Sequence, residues 1–195
     1  MRVLVVAEGK HELYGALRNL LEKLGGNGST FDYDHVSNNT IHSFHGMGKG
    51  YFKRALCWLI EAEKRGVDAL ILLIDEDGIR ERVGQIQEAQ DSLLSQLPRA
   101  MGVAIRMFDA WMLADERALT EVLGDNINRQ TNPETIRDPK QVCAKLLEDS
   151  QIQISQSEMY ARVSSKINID ILCDRCQSGF KPFATYARNI FKWKS

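Results

Sequence analysis

The first half of the chain alternates between short apolar runs and longer amphipathic stretches. Strands are predicted where apolar residues follow one another without alternation, at residues 2–7, 69–74 and 101–107. A further short strand is expected near 31–36 or near 41–44. Helices are predicted where apolar residues recur at helical spacing before a Gly or Pro, at residues 13–24, 51–65 and 80–97. Continuous apolar strands are typical of parallel sheets that are buried on both faces, so the alternation predicts βαβ units and an α/β fold.

From residue 108 onward the pattern is helical. Helices are predicted at 108–123 and 139–149, followed by two or three short ones, and residues 124–137 form a polar linker. Asp138 and Pro139 suit the cap and the first turn of the second of these helices. The sequence therefore predicts an α/β core over residues 1–107 and a helical C-terminal portion over residues 108–195 that caps the core.

Composition narrows the class of protein. The 195 residues are 44% hydrophobic and 26% charged, which is typical of a globular chain. No apolar run approaches the ~20 residues of a membrane span, and Glu8 interrupts an N-terminal run that is too short for a secretory signal. Of the four cysteines only Cys173 and Cys176 form a close pair, which favours buried thiols over a zinc site. We expect a cytoplasmic protein that does not associate with membranes.

Charge is distributed unevenly along the chain. Residues 160–195 carry seven basic and two acidic side chains, whereas the remainder has an excess of six acidic ones. The aromatic residues of this segment, among them Phe183 and Phe191, fit one helical face that packs on the core. Its basic side chains are then available to a polyanion or an acidic protein.

Acidic residues follow two of the predicted strands. Glu8 and Glu12 come after the first strand, and Asp75 and Asp77 end the strand at 69–74. The carboxyl ends of parallel strands meet at one edge of a sheet, where carboxylates would repel one another unless a cation such as Mg²⁺ lay between them. Taken singly, Glu8 and Glu12 also suit the start of a helix, and the Asp-x-Asp pair also suits a solvated turn. Together they predict a metal site.

These motifs resemble a known family. A strand ending in E-G-x-x-E and a later strand ending in D-x-D look like the Toprim domain of topoisomerases, bacterial primases and OLD-family nucleases. Residues 103–115, V-A-I-R-M-F-D-A-W-M-L-A-D, resemble the signature of a small Toprim-like family of unknown function, whose members often accompany an AAA-type ATPase in bacterial defence loci. The C-Q-S-G-F-K-P-F segment at 176–183 is similar to the end of that family.

The resemblance implies a Toprim-like Rossmannoid sheet and a Mg²⁺-dependent nuclease, with Mn²⁺ as the alternative ion. It would make Glu8 a metal ligand or general acid/base, Asp75 and Asp77 metal ligands, and Glu12 a supporting ligand. The family usually has Glu where Asp109 stands, so this shorter side chain is either a metal or water-bridged ligand, or the cap or a first-turn residue of a helix that begins at 108. The implied partners are nucleic acid and, in anti-phage defence, an AAA-type ATPase.

Basic residues provide candidates for phosphate contacts. Lys166 is our candidate for stabilising charge in the transition state, with a solvated lysine at a helix end as the alternative. The loop H-G-M-G-K-G at 45–50 precedes a predicted helix and lacks the Walker A spacing. It is either a flexible connector or a phosphate-binding loop that contacts nucleic acid through the residues Gly48, Lys49, Lys53 and Arg54.

Two other functions fit parts of the pattern. A non-catalytic regulatory or interaction subunit that keeps a Toprim-like fold would also explain Asp109 in place of Glu. A phosphatase that forms an aspartyl phosphate would use Asp75 and Asp77, but Gly78 and Ile79 follow where that chemistry usually requires Thr. We therefore favour the nuclease and keep the regulatory subunit as the alternative.

Overall fold

A four-stranded parallel sheet forms the centre of the computed structural model, which describes residues 1–38, 41, 50–124 and 126–192. The strands lie in the order β2-β1-β3-β4. Their bounds are Arg2–Ala7 (β1), Thr30–His35 (β2), Ala69–Asp75 (β3) and Arg99–Ala104 (β4). Because Ala7 pairs with Leu73, β1 and β3 end at the same edge of the sheet. This sheet and the helices that flank it confirm the predicted α/β, Rossmann-like fold.

Helices cover both faces of the sheet. The first helical segment has α1 (Leu17–Leu21) at its centre and wider turns, Glu12–Ala16 and Glu22–Gly26, on either side. The next helices are α2 (Gly50–Lys64), α3 (Glu81–Gln90), α4 (Asp109–Met112) and α5 (Glu116–Leu123). The last are α6 (Pro139–Asp149), α7 (Gln156–Lys166), α8 (Ile169–Arg175) and α9 (Phe180–Lys192). None of the helices in the described ranges is long and apolar enough to cross a membrane.

The strand side chains divide between two apolar clusters, one on each face of the sheet. Val3, Val5 and Ile71 point to the face covered by α1 and the C-terminal helices. Leu4 and Leu72 point to the opposite face, which α2 and α3 cover. Successive residues of a strand face opposite sides, so a strand that is apolar throughout needs cover on both.

Two predicted helices are shorter in the structure. The prediction at 80–97 ends at Gln90, because the guanidinium of Arg99 binds the carbonyl oxygens of Gln90 (2.9 Å), Ser92 and Ser95 (3.0 Å) and holds the chain in a turn. The prediction at 108–123 divides into α4 and α5. Asp115 lies between them in extended backbone, and its side chain accepts the Arg117 and Ala118 N–H groups that begin α5.

The C-terminal helices share a core with the sheet. Helix α9 lies along β4, and α7 lies against the Glu12–Ala16 turn. Trp111 contacts Phe180 and Phe183, with ring centroids 5.0 and 5.7 Å apart. Residues on both sides of position 108 therefore belong to one continuous apolar cluster.

This packing predicts a cost for any side chain at Gly102. A Cβ there would lie 2.7 Å from Phe183 Cδ2, and Trp111 and Phe180 block the ring from moving aside. Gly102→Ala is expected to lower the free energy of unfolding by about 2 kcal/mol, measured by urea denaturation. The control is Gly84→Ala in α3, where a Cβ meets nothing within 4 Å and Ala favours the helix. A Gly102→Ala variant as stable as the wild type would contradict the packing described.

Candidate functional site

Glu8 and Asp75 lie side by side at the carboxyl edge of the sheet. Glu8 follows β1, Asp75 ends β3, and Glu8 Oε2 accepts the backbone N–H of Asp75 at 3.1 Å. The other carboxylate oxygen of Glu8 accepts a hydrogen bond from the hydroxyl of Tyr51. These two bonds fix the orientation of Glu8 over the end of β3.

Glu12 is a buried carboxylate with an unsatisfied oxygen. The residue is 4% exposed, and its Oε2 atom has no hydrogen-bond partner among the described residues. Burial, assisted by the charges of Asp109 and Glu8 and opposed by a hydrogen bond from its own backbone, raises the pKa of Glu12 to about 7. Gly9 makes the placement possible, because a Cβ there would overlap the Glu12 carboxylate.

Asp75 is perturbed for the same reasons. Burial and the negative charge of Glu12 raise its pKa to about 8, against a hydrogen bond from the backbone N–H of Phe108. That bond is 2.8 Å long and ties Asp75 to the loop that follows β4. The charges of Asp77 and Asp109 contribute further. The structure therefore brings the predicted acidic residues into one electrostatic cluster.

Asp109 is held by α7. The residue is 6% exposed, its Oδ1 accepts a hydrogen bond from the Tyr160 hydroxyl, and Gln156 Nε2 lies 3.3 Å from the same oxygen. Asp109 lies in the first turn of α4, as one of the sequence alternatives predicted, and no side-chain capping bond forms at the start of that helix in the described structure. Asp109 instead fixes the start of α7 beside the acidic cluster.

Arg82 brings a positive charge to the site, and sequence reasoning missed it. Its Nη1 donates to Asp77 Oδ2 and to the Asp75 carbonyl oxygen, both at 2.7 Å, and lies 3.8 Å from Glu8 Oε2. The side chain is 12% exposed and lies over the Tyr51 ring, 4.5 Å from its centroid. Tyr51 was missed as well, and burial together with its bond to Glu8 raises its pKa to about 12. The available signal was that Arg82 lies one helical turn beyond the D-x-D-G motif.

The other predicted basic residues lie elsewhere or outside the described residues. Lys166 pairs with Glu121 at the far end of α7, about 15 Å along the helix from Gln156, so the structure does not bring it to the carboxylates. Lys53 and Arg54 lie in the first two turns of α2, with the Arg54 guanidinium 5.2 Å from the centroid of the Tyr51 ring. The phosphate contacts predicted for Gly48 and Lys49 fall outside the described residues.

The side-chain chemistry suits a hard cation, but the carboxylates do not form a ready cage. Within the described residues, no three Asp, Glu, His or Cys side chains are arranged so that they could hold a metal ion. Glu8 and Asp77 are turned instead to Tyr51 and Arg82. Carboxylate oxygens are the ligands Mg²⁺ prefers, and one buried oxygen of Glu12 has no hydrogen-bond partner among the described residues. The residue types fit Mg²⁺, provided that Arg82 gives up its contacts.

The fold and the site together define an α/β protein with a buried acidic cluster at the carboxyl edge of a parallel sheet. More particularly, the chain belongs to the family described as a domain of unknown function (DUF4276), whose model matches residues 8–186. The matched segment includes every candidate residue named above. Comparisons with curated proteins and with solved structures gave no match.

Proposed function

We propose that this protein hydrolyses phosphodiester bonds in nucleic acid, with Mg²⁺ held by the carboxylates of Glu8, Glu12, Asp75 and Asp77. The supporting observation is the contact between Glu8 and Asp75, beside a Glu12 carboxylate that is buried with one oxygen unpartnered. Carboxylates in this arrangement repel one another unless a cation lies among them. Mn²⁺ is the alternative ion, and Asp109 acts on the site through Tyr160 and α7.

The chemistry divides among the residues already described. Mg²⁺ bound there would supply charge neutralisation for the phosphate and a lowered pKa for the attacking water. Glu8, oriented by Tyr51 and by the Asp75 N–H, would accept the proton of that water. Arg82 would stabilise the negative charge that develops on the phosphate oxygens, the role that the sequence suggested for Lys166.

The decisive experiment is a cleavage assay on plasmid DNA and on tRNA. The purified protein is expected to cleave one of the two in Mg²⁺ or Mn²⁺ and to leave both intact in EDTA. Glu8→Ala is expected to abolish this activity. Failure to cleave either substrate in either ion, or full activity of Glu8→Ala, would refute the proposal.

The biological setting of the proposal is supported by resemblance alone. Residues 103–115 and 176–183 resemble a family whose members accompany an AAA-type ATPase, which suggests an anti-phage effector working with such a partner in the cytoplasm. The four cysteines are all free thiols, which agrees with that compartment.

A non-catalytic subunit is the second candidate, and Arg82 is the observation that favours it. A guanidinium that already neutralises Asp77 and approaches Glu8 would stabilise the fold without a metal. Arg82→Gln separates the two candidates in Mn²⁺ titrations followed by calorimetry. If the protein is a nuclease, this variant is expected to bind Mn²⁺ roughly tenfold more tightly, because a competing charge is removed, and to cleave more slowly.

The control for this titration is Arg117→Gln, which removes an exposed arginine on α5 and should bind Mn²⁺ as the wild type does. A regulatory subunit would bind Mn²⁺ in neither the wild type nor the Arg82→Gln variant. That result would favour the non-catalytic subunit over the nuclease.

A further inference from the structure

A groove of about 600 Å³ opens at the same edge of the sheet, on the other side of the acidic turn. Glu76 lines it, whereas Asp75 and Asp77 belong to the carboxylate cluster. The loop after β4 is the shared wall: the Asp77 N–H donates to the Arg106 carbonyl at 3.0 Å, and the Phe108 N–H donates to Asp75. The groove and the cluster are thus separated by a single turn of chain.

Two arginines in this groove have no ionic partner among the residues that the structure describes. Arg80 and Arg106 line it, and no carboxylate in the described part of the chain pairs with either guanidinium. By contrast, the arginines at positions 65, 82 and 175 each pair with an acidic side chain. The groove therefore presents two cationic groups that are available to a ligand.

The acidic residues of the groove are already hydrogen-bonded to backbone. Glu76 is 7% exposed and accepts the Arg106 N–H at 3.2 Å. Glu134 accepts the N–H groups of Ser178 and Gly179, at 3.0 and 2.7 Å. The two carboxylates therefore bind backbone N–H groups of the groove walls and form no ion pair with Arg80 or Arg106.

Arg106 adopts a backbone conformation that disfavours its own side chain. Its φ of 64° lies in the left-handed region, where glycine is the favoured residue. Strain of this kind concentrates at functional sites, where the side chain compensates for its structural cost. An arginine at this position, whose own carbonyl oxygen accepts the Asp77 N–H, is explained if its guanidinium binds a ligand.

We infer that the groove binds the backbone phosphates of a single nucleic-acid strand whose scissile phosphodiester lies at the carboxylates, an inference that rests on the proposed function. Guanidinium groups bind phosphate in a two-pronged geometry, and Val83 and Ile105 provide apolar walls for sugar or base. The volume falls in the range of pockets for small ligands, which suits one strand and not a duplex. Lys53 and Arg54, the residues predicted from sequence, do not line this groove.

The test is binding of a fluorescein-labelled oligothymidylate to the full chain, followed by anisotropy at several salt concentrations. Ca²⁺ replaces Mg²⁺, and a gel verifies that the strand stays intact. The double variant Arg80→Gln/Arg106→Gln is expected to bind roughly tenfold more weakly, with the slope of log affinity against log salt reduced by about 0.7 for each phosphate that the variant no longer neutralises. Arg117→Gln, the exposed control on α5, should bind as the wild type does.

A second variant separates binding from folding. Arg106→Gly removes the guanidinium and relieves the left-handed strain, so it should bind more weakly while its Tm is no lower than that of the wild type. Wild-type affinity in the double variant, loss of affinity only in Lys53→Gln/Arg54→Gln, or no binding by the wild type would each overturn the inference. If the double variant binds the oligothymidylate more weakly but the wild type cleaves no substrate, the proposed nuclease activity is refuted and the inference about the groove is supported.

Discussion

Replacing Asp75 with Asn is expected to lower the rate of phosphodiester cleavage by about a thousandfold, which corresponds to ~4 kcal/mol of activation free energy. Asp75 is central to the cluster: it ends β3, and its backbone N–H holds Glu8 in place. The amide oxygen of Asn can still accept the Phe108 N–H, so the loop after β4 should keep its position. The substitution removes one negative charge and a strong metal ligand, and little else.

The matched control is Asp91→Asn. Asp91 follows α3 on the surface and pairs with Gln87 at 2.7 Å, outside the acidic cluster. It should cleave at the wild-type rate in initial-rate measurements with saturating Mg²⁺. If both variants cleave as the wild type does, Asp75 has no role in the reaction and the metal site must be sought elsewhere.

The acidic half of the site was predictable because it depends on strand ends. The length of an apolar run such as 69–74 fixes the residue at which its strand ends. The acidic residue that follows must therefore lie at the edge of the sheet. Two such strands in a parallel sheet meet at that edge, as Glu8 and Asp75 do. Local sequence therefore determined the rim residues without any knowledge of the strand order.

The cationic half was not predictable, because it depends on helix rotation and length. Whether Arg82 points to Asp77 or to solvent is decided by how α3 packs on the sheet, and amphipathicity fixes that rotation only coarsely. Lys166 shows the effect of helix length. Helix α7 begins beside Asp109, but Lys166 is the last of its eleven residues and pairs with Glu121 at the other end. The role of Tyr160 in holding Asp109 likewise arises only from packing.

The acidic cluster also predicts an unusual dependence of stability on pH in the metal-free protein. In the unfolded chain Glu12 and Asp75 have pKa values near 4.5 and 3.8, whereas in the fold these rise to about 7 and about 8. Between these limits the folded protein retains protons that the unfolded chain has released, so the free energy of unfolding falls as pH rises. We expect a loss of about 6 kcal/mol between about pH 5 and about pH 8, measured by urea denaturation in EDTA.

The double variant Glu12→Gln/Asp75→Asn tests the cause. Because neither replacement ionises, it should lose most of this pH dependence and be more stable than the wild type at about pH 8. Burial lowers the pKa of His11, which lies beside the cluster. His11 therefore makes the free energy of unfolding rise with pH at the acidic end of this interval, in the wild type and in the double variant alike. Addition of Mg²⁺ at about pH 8 should restore stability to the wild type and much less to the double variant, since the variant lacks two of the four carboxylates that would hold the ion. A wild-type protein whose stability is constant or rises over this interval would show that the two carboxylates are not crowded as described, and the argument for a cation among them would lose its physical basis.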